Sequence, residues 1–567
     1  MVFNDNAYRD CLLLVFGACL YTLAAPPYEW AGTAWVALTP LFLVIRGKAP
    51  RGAFFVGLLY GVLFCAGIAY WVYLAVAAYF PFPFPLALAF TVLSYSFFVG
   101  SYTGLAAAFS CVLMQSGRPL FCYLGVPALW VVGEFARSSL LSGFSWELLG
   151  YTQYRQLSLI QIADLTGVYG VSFLLACSSY VAAEIWNSWQ IRRQKLKEGQ
   201  KPEIQHLPTE WLPWSALVCL TLSVLLVLGY GMFRLSERTL PSTSRPVRLA
   251  LVQGKVPPAQ RWKRVHYANT LFRYATLTQR GIAEAQPDLV VWPEFAVGFY
   301  LDREPPLYGQ LSQFTKTMNA ALLLGAPRVE KTEAGEHYYN SAYLLAPGGA
   351  VLDVYDKIRL LPFAEYRPLA LPSLISHNSE YPSDFTAGSR STIFSLPQGN
   401  FGVLICYEAT YPSLARRLVQ EGAQFFVNIS NDTWLAGEAA AAQHFSMAVF
   451  RAVENRRFLA RVATAGFAGF VDPFGQVSHL SDATENVVLG DVLPHQHLSV
   501  YTRYGDWFVA VCGMWVLVAL FLTRRSRQQA CALVDRTESE QLVSLSFPLA
   551  TQQSDREQND AGEKRVG

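Results

Sequence analysis

Three short stretches of this chain each finish an apolar run with a reactive side chain: Val290-Val291-Trp292-Pro293-Glu294, Val354-Tyr355-Asp356-Lys357 and Val403-Leu404-Ile405-Cys406-Tyr407-Glu408. Short apolar, β-branched runs read as buried strands, and α/β folds present their working groups just beyond strand ends. A carboxylate, an ammonium and a thiol are the complement for acyl transfer through cysteine where no histidine serves as base. The carboxylate takes the thiol proton, the thiolate attacks a carbonyl carbon, and the ammonium stabilises both the thiolate and the developing oxyanion. A nearby cation also favours the thiolate of a group whose ordinary pKa is about 8.5. Each residue has a plainer structural reading as well: Cys406 as inert core, Glu294 as a helix-start carboxylate on free backbone N–H groups, Lys357 as a solvated strand end. Periodicity does not bring the three together in space, so from the residues alone they form a candidate triad.

The elements that must position such a triad follow from composition. Of 567 residues, 53% are hydrophobic and 15% charged, against about 25% charged in an average soluble domain. That excludes a wholly soluble protein. The formal net charge of +3 is small for the length, and no basic stripe interleaved with aromatics appears, so no nucleic-acid partner is expected. Ten cysteines without C-x-x-C spacing indicate neither a disulfide framework nor a zinc site. His266, His337 and His444 also lack ligand spacing and are expected to be structural; no metal or organic cofactor is implied.

Apolar runs near 8–26, 31–46, 52–75, 86–115, 118–136, 158–186, 214–234 and 505–523 are candidates to cross a hydrocarbon core of ~30 Å, which takes ~20 helical residues. The first two are short, and the first, with Arg9 ahead of it and Leu23-Ala24-Ala25 behind, also fits a secretory signal peptide. Eight spans put the loops carrying Arg46, Lys48, Arg51, Arg118, Arg192, Arg193, Lys195, Lys197, Lys201, Arg524, Arg525 and Arg527 on one side. The opposite short loops carry only Arg137 and Arg155, so both termini are expected to be cytoplasmic and the long polar stretch to face outward. The expected organisation is a membrane part over 1–234 with seven spans, an outer domain over 235–504, an eighth span over 505–523 and a polar, disordered tail over 524–567. In the outer domain, β-rich runs at 247–252, 289–292, 322–325, 402–405, 425–429 and 459–462 alternate with helix-like runs at 262–286, 412–421 and 438–456, which predicts one layered α/β domain.

In chain order, Glu294 in V-W-P-E, Lys357 in Y-D-K-I-R-L-L-P-F-A-E-Y-R-P and Cys406 in L-I-C-Y-E-A-T-Y-P resemble the Glu-Lys-Cys triad of the nitrilase superfamily. The wider context is similar to the bacterial apolipoprotein N-acyltransferases: V-Q-G at 252–254, P-F-A-E-Y at 362–366, N-I-S-N-D-T-W at 428–434 and Q-H-F at 443–445. The membrane half joins in, with G-F-S-W at 143–146, Gly150-Tyr151 and D-L-T-G-V-Y-G at 164–170, none of which a soluble nitrilase would have. The resemblance runs from the first span to the eighth.

That resemblance implies a membrane α-helical bundle of about eight transmembrane helices joined to an α/β nitrilase-like αββα sandwich. It implies an acyl chain taken from a phospholipid onto Cys406 as a thioester, then passed to the α-amino group of the N-terminal diacylglyceryl-cysteine of an apolipoprotein, in the bacterial inner membrane with the catalytic domain periplasmic. Glu294 would be the general base and Lys357 the charge stabiliser; Glu365 and Glu408 would orient Lys357 or stabilise the intermediate, and Tyr407 would support the site and its substrate. Trp262 and Trp434, in loops beside the motifs, are expected as lid or lipid-facing anchors or as core tryptophans, and the P-F-P-F-P run at 81–85 as a lipid entrance or a plain interfacial loop. Nothing demands a partner subunit, so a monomer is expected. Two positions depart from the family: Thr464-Ala465-Gly466-Phe467 stands where Thr-Asn-x-Gly is usual, and Ser145 where proline is frequent, which bears on acceptor fit or loop rigidity before reaction type.

Two other readings make different predictions. A membrane-tethered amidase or nitrilase would use the same triad with water as acceptor, but one anchor span would suffice for it. A transporter or receptor would carry ionisable residues along its spans, whereas here Glu134, Asp164 and Glu184 lie near span ends.

Overall fold

The computed structural model describes the chain apart from residues 1–4, 80–81, 141–142, 199–206, 240–244, 284, 334, 367–383, 435–436, 483–484 and 546–567. Among the described residues, seven helices are long and apolar enough to cross a membrane: Ala7–Ala24, Pro50–Ile68, Phe84–Met114, Pro119–Ser139, Val168–Lys197, Pro213–Ser236 and Trp507–Ser526. The expected span at 31–46 is a shorter apolar piece, the 3-10 turn Ala31–Trp35 followed by the helix Thr39–Ile45. Pro40 in the first turn of that helix fixes where it starts, because a proline further in would cost a hydrogen bond.

Short as it is, this piece runs the full height of its neighbours. At one end, Pro26 and Ile68 both offer their carbonyls to Gln443 of the α/β domain, each at 2.9 Å. At the other end, Lys48 pairs with Asp10 at 2.8 Å and its carbonyl accepts from Gln115 at 2.9 Å. Arg46 meets Glu184, and Arg118 donates to Ser526 at 2.9 Å, at that same far end. The basic loops therefore share the end opposite the α/β domain.

The run expected at 158–186 is likewise divided. Two single-turn helices, Leu157–Ile160 and Ala163–Thr166, precede Gly167, and the long helix Val168–Lys197 begins after it. Gly167 has φ +66°, and a Cβ there would lie 2.8 Å from the Tyr501 ring, so both conformation and space select glycine. The last helix does not stop near 523 but continues to Leu545. The Gln-, Ser-, Asp- and Glu-rich sequence that suggested a disordered tail also contains strong helix formers over 524–545.

Between these helices lies a two-sheet sandwich. The first sheet is ordered β12 (Asn486–Val492), β1 (Val247–Gln253), β2 (Leu289–Val291), β3 (Ala321–Thr332), β4 (Gly335–Leu345) and β5 (Val351–Asp356). The second is ordered β11 (Val477–Asp482), β10 (Phe467–Val471), β9 (Leu459–Ala463), β8 (Phe425–Ser430), β7 (Gly399–Ile405) and β6 (Ile393–Leu396). In each, a parallel centre (β1-β2-β3 and β7-β8-β9) is extended by antiparallel hairpins.

Alternation along the strands explains the layers. Leu249, Leu251, Val291 and Leu323 face Val403, Ile405, Val427 and Ile429 to make the core between the sheets. Ala250, Val252, Val290 and Leu324 point the other way, onto the helices Tyr267–Gly281 and Pro305–Met318 through Tyr274, Leu311 and Phe314. Leu404 and Phe426, on the far face of the second sheet, pack on the helices Pro412–Gln420 and Glu438–Asn455, and that core continues without a break into the membrane bundle. Strands buried on both faces read as unbroken apolar runs, which is how β2 and the stretches 249–252, 403–405 and 425–427 of β1, β7 and β8 read here.

Candidate active site

Glu294, Lys357 and Cys406 each follow the end of a strand, β2, β5 and β7 respectively, and all three line one cavity with Glu365. The turn at 293–295 lies directly on β3. A Cβ at Gly325 would sit 2.6 Å from the Glu294 Cα, so the close approach that aims Glu294 requires glycine there. Trp292 anchors the same turn, donating its indole N–H to Thr278 Oγ1 at 3.0 Å.

Lys357 Nζ lies 3.2 Å from Glu294 Oε1 and 2.9 Å from Glu365. Asn340 on β4 closes the group: its Nδ2 donates to Glu294 Oε1 and Glu365 Oε1, each at 2.7 Å, and its carbonyl accepts from the Lys357 N–H at 2.8 Å. Glu365 is fixed from behind by the Leu361 N–H at 2.7 Å. All four side chains are buried. Glu294 Oε2 is buried with no hydrogen-bond partner among the described residues, so one carboxylate oxygen is committed to Lys357 and Asn340 and the other is uncommitted.

The electrostatics follow from two carboxylates sharing one ammonium. Burial pushes the Glu294 carboxyl up, Lys357 pulls it down, and the Glu365 charge pushes it up again, leaving it above its ordinary value. Burial alone would lower Lys357, but Glu294 and Glu365 outweigh it and hold the ammonium charged. Burial and the Glu294 charge raise the Cys406 thiol well above its ordinary value, against Lys357. The resting arrangement is thus a neutral thiol beside a carboxylate of enhanced proton affinity and a fixed cation.

Cys406 opens the 3-10 turn Cys406–Thr410 with φ +50°, a left-handed conformation that costs a side-chain-bearing residue about 1–2 kcal/mol and persists where the surroundings over-determine it. Glu408 supplies much of that. Its Oε1 accepts from Tyr355 OH (2.7 Å), Ile358 N–H (2.7 Å) and Arg359 N–H (3.0 Å), and its Oε2 from Ile405 N–H (2.8 Å). It clamps the main chain after Lys357 to the main chain before Cys406 and does not line the cavity.

On the other side of Cys406 is a second charged group. Asp432 Oδ2 accepts from Arg461 Nη2 at 2.8 Å, and Asp432 Oδ1 accepts from Ser430 Oγ at 2.7 Å. His444 places Nδ1 3.1 Å from both Asp432 Oδ1 and Arg461 Nη2, and Nε2 2.9 Å from the Cys406 carbonyl. Arg461 also meets Asn428, whose Nδ2 donates to the Leu404 carbonyl at 2.7 Å. Burial would raise Asp432, but Arg461 and His444 hold it down at about 2. Donor atoms of Cys406, Asp432 and His444 lie within 4.8 Å of one another, but the guanidinium already supplies the positive charge there and the carbonyl bond requires a proton on Nε2.

The remaining expected site residues are placed differently. Tyr407 stands edge-on to Tyr411, both hydroxyls donating to the Gly143 carbonyl of the membrane half, at 3.4 and 3.0 Å. Trp262 is half-buried and packs edge-on against Phe295, a cavity residue, at 4.9 Å between centroids. The side chain of Trp434 and the first residue of the 81–85 run, Pro81, lie outside the described residues. Ser145 donates to Thr410 Oγ1 at 3.0 Å, so the departure from proline ties the membrane half to the Cys406 turn. Gln253 donates to the carbonyls of Ala463 (3.2 Å) and Gly466 (3.0 Å), holding the turn that contains the other departure. Asn340 and the partners of His444 were not anticipated; the one signal for Asn340 is an amide interrupting a strand-like run.

A two-sheet α/β sandwich with an acidic-basic-thiol cavity, one helix layer merged into a bundle of apolar helices, defines a membrane-embedded protein of the nitrilase class. Residues 248–496 match the carbon-nitrogen hydrolase family, and residues 17–181 match the N-terminal domain of apolipoprotein N-acyltransferase. The chain belongs to the apolipoprotein N-acyltransferase family. A protein of that name from Geobacter metallireducens is 35% identical over 530 residues, 92% of this chain and 97% of its own. Another, from Pseudomonas paraeruginosa, is 30% identical over 531 residues, 91% of this chain and 96% of its own. A solved amidase from Nesterenkonia covers 48% of this chain and 98% of its own, with 19% identity and a TM-score of 0.36. The chain is an acyltransferase and a multi-pass membrane protein, and the hydrolase alternative is not favoured.

Proposed function

We propose that this enzyme moves an acyl chain from a phospholipid, through a thioester on Cys406, to the α-amino group of the N-terminal diacylglyceryl-cysteine of apolipoproteins, the last step of lipoprotein maturation. The observation that carries the reading is the meeting of Glu294, Lys357, Glu365 and Cys406 on one cavity of a domain whose core is continuous with the membrane bundle. Glu294 Oε2 takes the Sγ proton, and the thiolate adds to the ester carbonyl of the donor. The Lys357 ammonium stabilises the tetrahedral oxyanion. The intermediate collapses by breaking the C–O bond, and the lysophospholipid leaves as an alcohol with the proton from Glu294. In the second half, the amine attacks the thioester, Glu294 removes its proton, and the C–S bond breaks to return the thiol. Glu365 and Asn340 hold Lys357, Glu408 holds the main chain on which Lys357 and Cys406 sit, and Tyr407 and Trp262 border the substrate path.

Both substrates are anchored in a bilayer, so a cavity held against the bundle searches in two dimensions and works at high effective concentration. We place the membrane part at 1–234 and 505–523 in the bacterial inner membrane, the catalytic domain at 235–504 on the periplasmic side, and the residues from 524 onward and both termini in the cytoplasm. The support is that Arg46, Lys48 and Arg118 gather at the end away from the α/β domain. The enzyme works as a monomer, one chain supplying every group of the cavity.

The test is incubation of the purified protein with phospholipid labelled in its acyl chain, without acceptor. Wild type should gain a label that hydroxylamine removes, and Cys406→Ala should not. A diacylated peptide with a free N-terminal cysteine should then discharge the label onto its amine; discharge to water alone would restore the hydrolase reading, and a folded wild type that never gains label would overturn the phospholipid donor.

A further inference from the structure

The nucleophile's main chain is held by side chains at three successive residues: the Leu404 carbonyl by Asn428, the Ile405 N–H by Glu408 and the Cys406 carbonyl by His444. The last bond fixes a tautomer, because a carbonyl only accepts and Nε2 must therefore carry the proton. It also fixes a plane. In a trans peptide the C=O and the following N–H point in opposite directions. With the Cys406 carbonyl directed at His444, the Tyr407 N–H is directed away from it. Tyr407 is the second residue of its 3-10 turn, so this N–H belongs to the helix-start donors that have no intrahelical acceptor.

We propose that His444 is a positioning residue for acyl transfer, pinning the Cys406 carbonyl so that the Tyr407 N–H faces the cavity and shares the oxyanion with Lys357. This rests on Cys406 being the acylated residue. His444 is itself held at every side. Its ring lies 5.6 Å from Trp146 between centroids, and its Nδ1 meets Arg461 and Asp432. Its neighbour Gln443 accepts from Trp71 (3.1 Å) and Trp146 (2.9 Å) and donates to the Pro26 and Ile68 carbonyls. The membrane segments thus fix the helix that fixes the nucleophile's peptide plane, and the unfavourable φ of Cys406 is maintained by a side chain that touches no substrate.

Alkylation of a thiolate by iodoacetamide displaces iodide at a saturated carbon and forms no oxyanion; acylation by an ester forms one. The experiment measures both rates at Cys406, alkylation by mass spectrometry of its peptide and acylation with labelled phospholipid, for wild type, His444→Ala and His444→Gln. Glutamine offers an N–H donor at the position of the imidazole Nε2. In His444→Ala, acylation should fall about 100-fold, the usual effect of losing one oxyanion donor, while alkylation stays within about 3-fold; His444→Gln should recover acylation to within about 10-fold of wild type. Parallel loss of both rates, a glutamine variant as slow as alanine, or no change in either would overturn the proposal. A wild type that alkylates at Cys406 but never acquires the acyl label would instead remove the underlying reading, and this inference with it.

Discussion

Cys406 lies between two clusters of nearly the same composition. On one side, Glu294 and Glu365 share Lys357 and are bridged by Asn340. On the other, Asp432 pairs with Arg461, with His444 and Asn428 alongside. Both are buried, yet their carboxylates behave oppositely: Glu294 is raised and keeps an oxygen without a partner, whereas Asp432 is held near 2 with both oxygens bonded. The difference is stoichiometry and access. Two carboxylates on one cation leave an excess negative charge facing a cavity, which makes a base; one carboxylate on a bidentate-capable guanidinium, sealed from the cavity, makes a brace. The first group is built to change protonation, the second to resist it.

The most severe break of that contrast is in the first cluster. Glu294→Gln keeps an amide oxygen for Asn340 and Lys357 but removes the proposed proton acceptor, and should slow acyl-enzyme formation by about 10³-fold, within the range for a general base. At acid pH its thermal unfolding in detergent should move little, because Glu294 is then neutral in wild type as well. In the second cluster the order of effects inverts. Arg461→Met leaves Asp432 charged and unpaired in the interior, which should cost about 3–5 kcal/mol in denaturant unfolding. In a double variant with Asp432→Asn, much of that loss should return, and failure to return would mean that the guanidinium acts through packing alone.

Acid separates the clusters by sign. Asp432 has a folded value of about 2 against about 3.9 when unfolded, so it contributes stability that is fully present above pH about 4 and is lost as pH falls towards 2, about 2–3 kcal/mol in all. Asp432→Asn should flatten the acid limb of stability in that window. Glu294, raised in the folded state, contributes in the opposite sense: its stabilisation is present at acid pH and lost as pH rises through its folded value. A Glu294→Gln variant should therefore gain stability relative to wild type towards neutral pH, and a loss there would reverse the assignment of the open and sealed clusters.

Much of the first cluster was legible because Glu294, Lys357 and Cys406 each terminate an apolar run, and strand ends are where such groups work. The layered α/β fold was legible from alternation over the strands β1, β2, β3, β7, β8 and β9. The hairpin strands were less so: β4 opens on exposed or half-buried Glu336, His337 and Tyr338, and β12 carries Asn486, Gly490 and Asp491, so polar residues and glycine interrupt the apolar run in each. The brace was not legible as a unit, since Asp432, His444 and Arg461 come from three elements and His444's decisive contact is to a main-chain carbonyl, which no side-chain pattern encodes. The link to the membrane was hidden for the same reason: one glutamine on the helix Glu438–Asn455 saturates its amide with partners from Pro26, Ile68, Trp71 and Trp146. At 31–46 the apolar run is divided into a 3-10 turn and a helix that starts at Thr39 with Pro40 in its first turn, a division that hydropathy does not register.

The mildest change touches neither cluster. Ser145 of the membrane half donates to Thr410 Oγ1, and Thr410 donates in turn to the Tyr407 carbonyl at 2.9 Å within the Cys406 turn. Ser145→Ala removes one neutral buried hydrogen bond and should cost about 1 kcal/mol. Thr410 keeps its bond to Tyr407, and the Cys406 carbonyl keeps His444, so acyl-enzyme formation should stay within about 3-fold of wild type, a change worth less than 1 kcal/mol of barrier. The two numbers together decide what the tie to the membrane is for. A stability loss without a rate loss means that the sealed cluster and Glu408 suffice to hold the nucleophile and that this hydrogen bond only docks two domains. A rate loss approaching that of Glu294→Gln would mean that the membrane half sets the reactive geometry directly, and the division between a cluster that reacts and a cluster that braces would have to be redrawn to include the 143–146 loop.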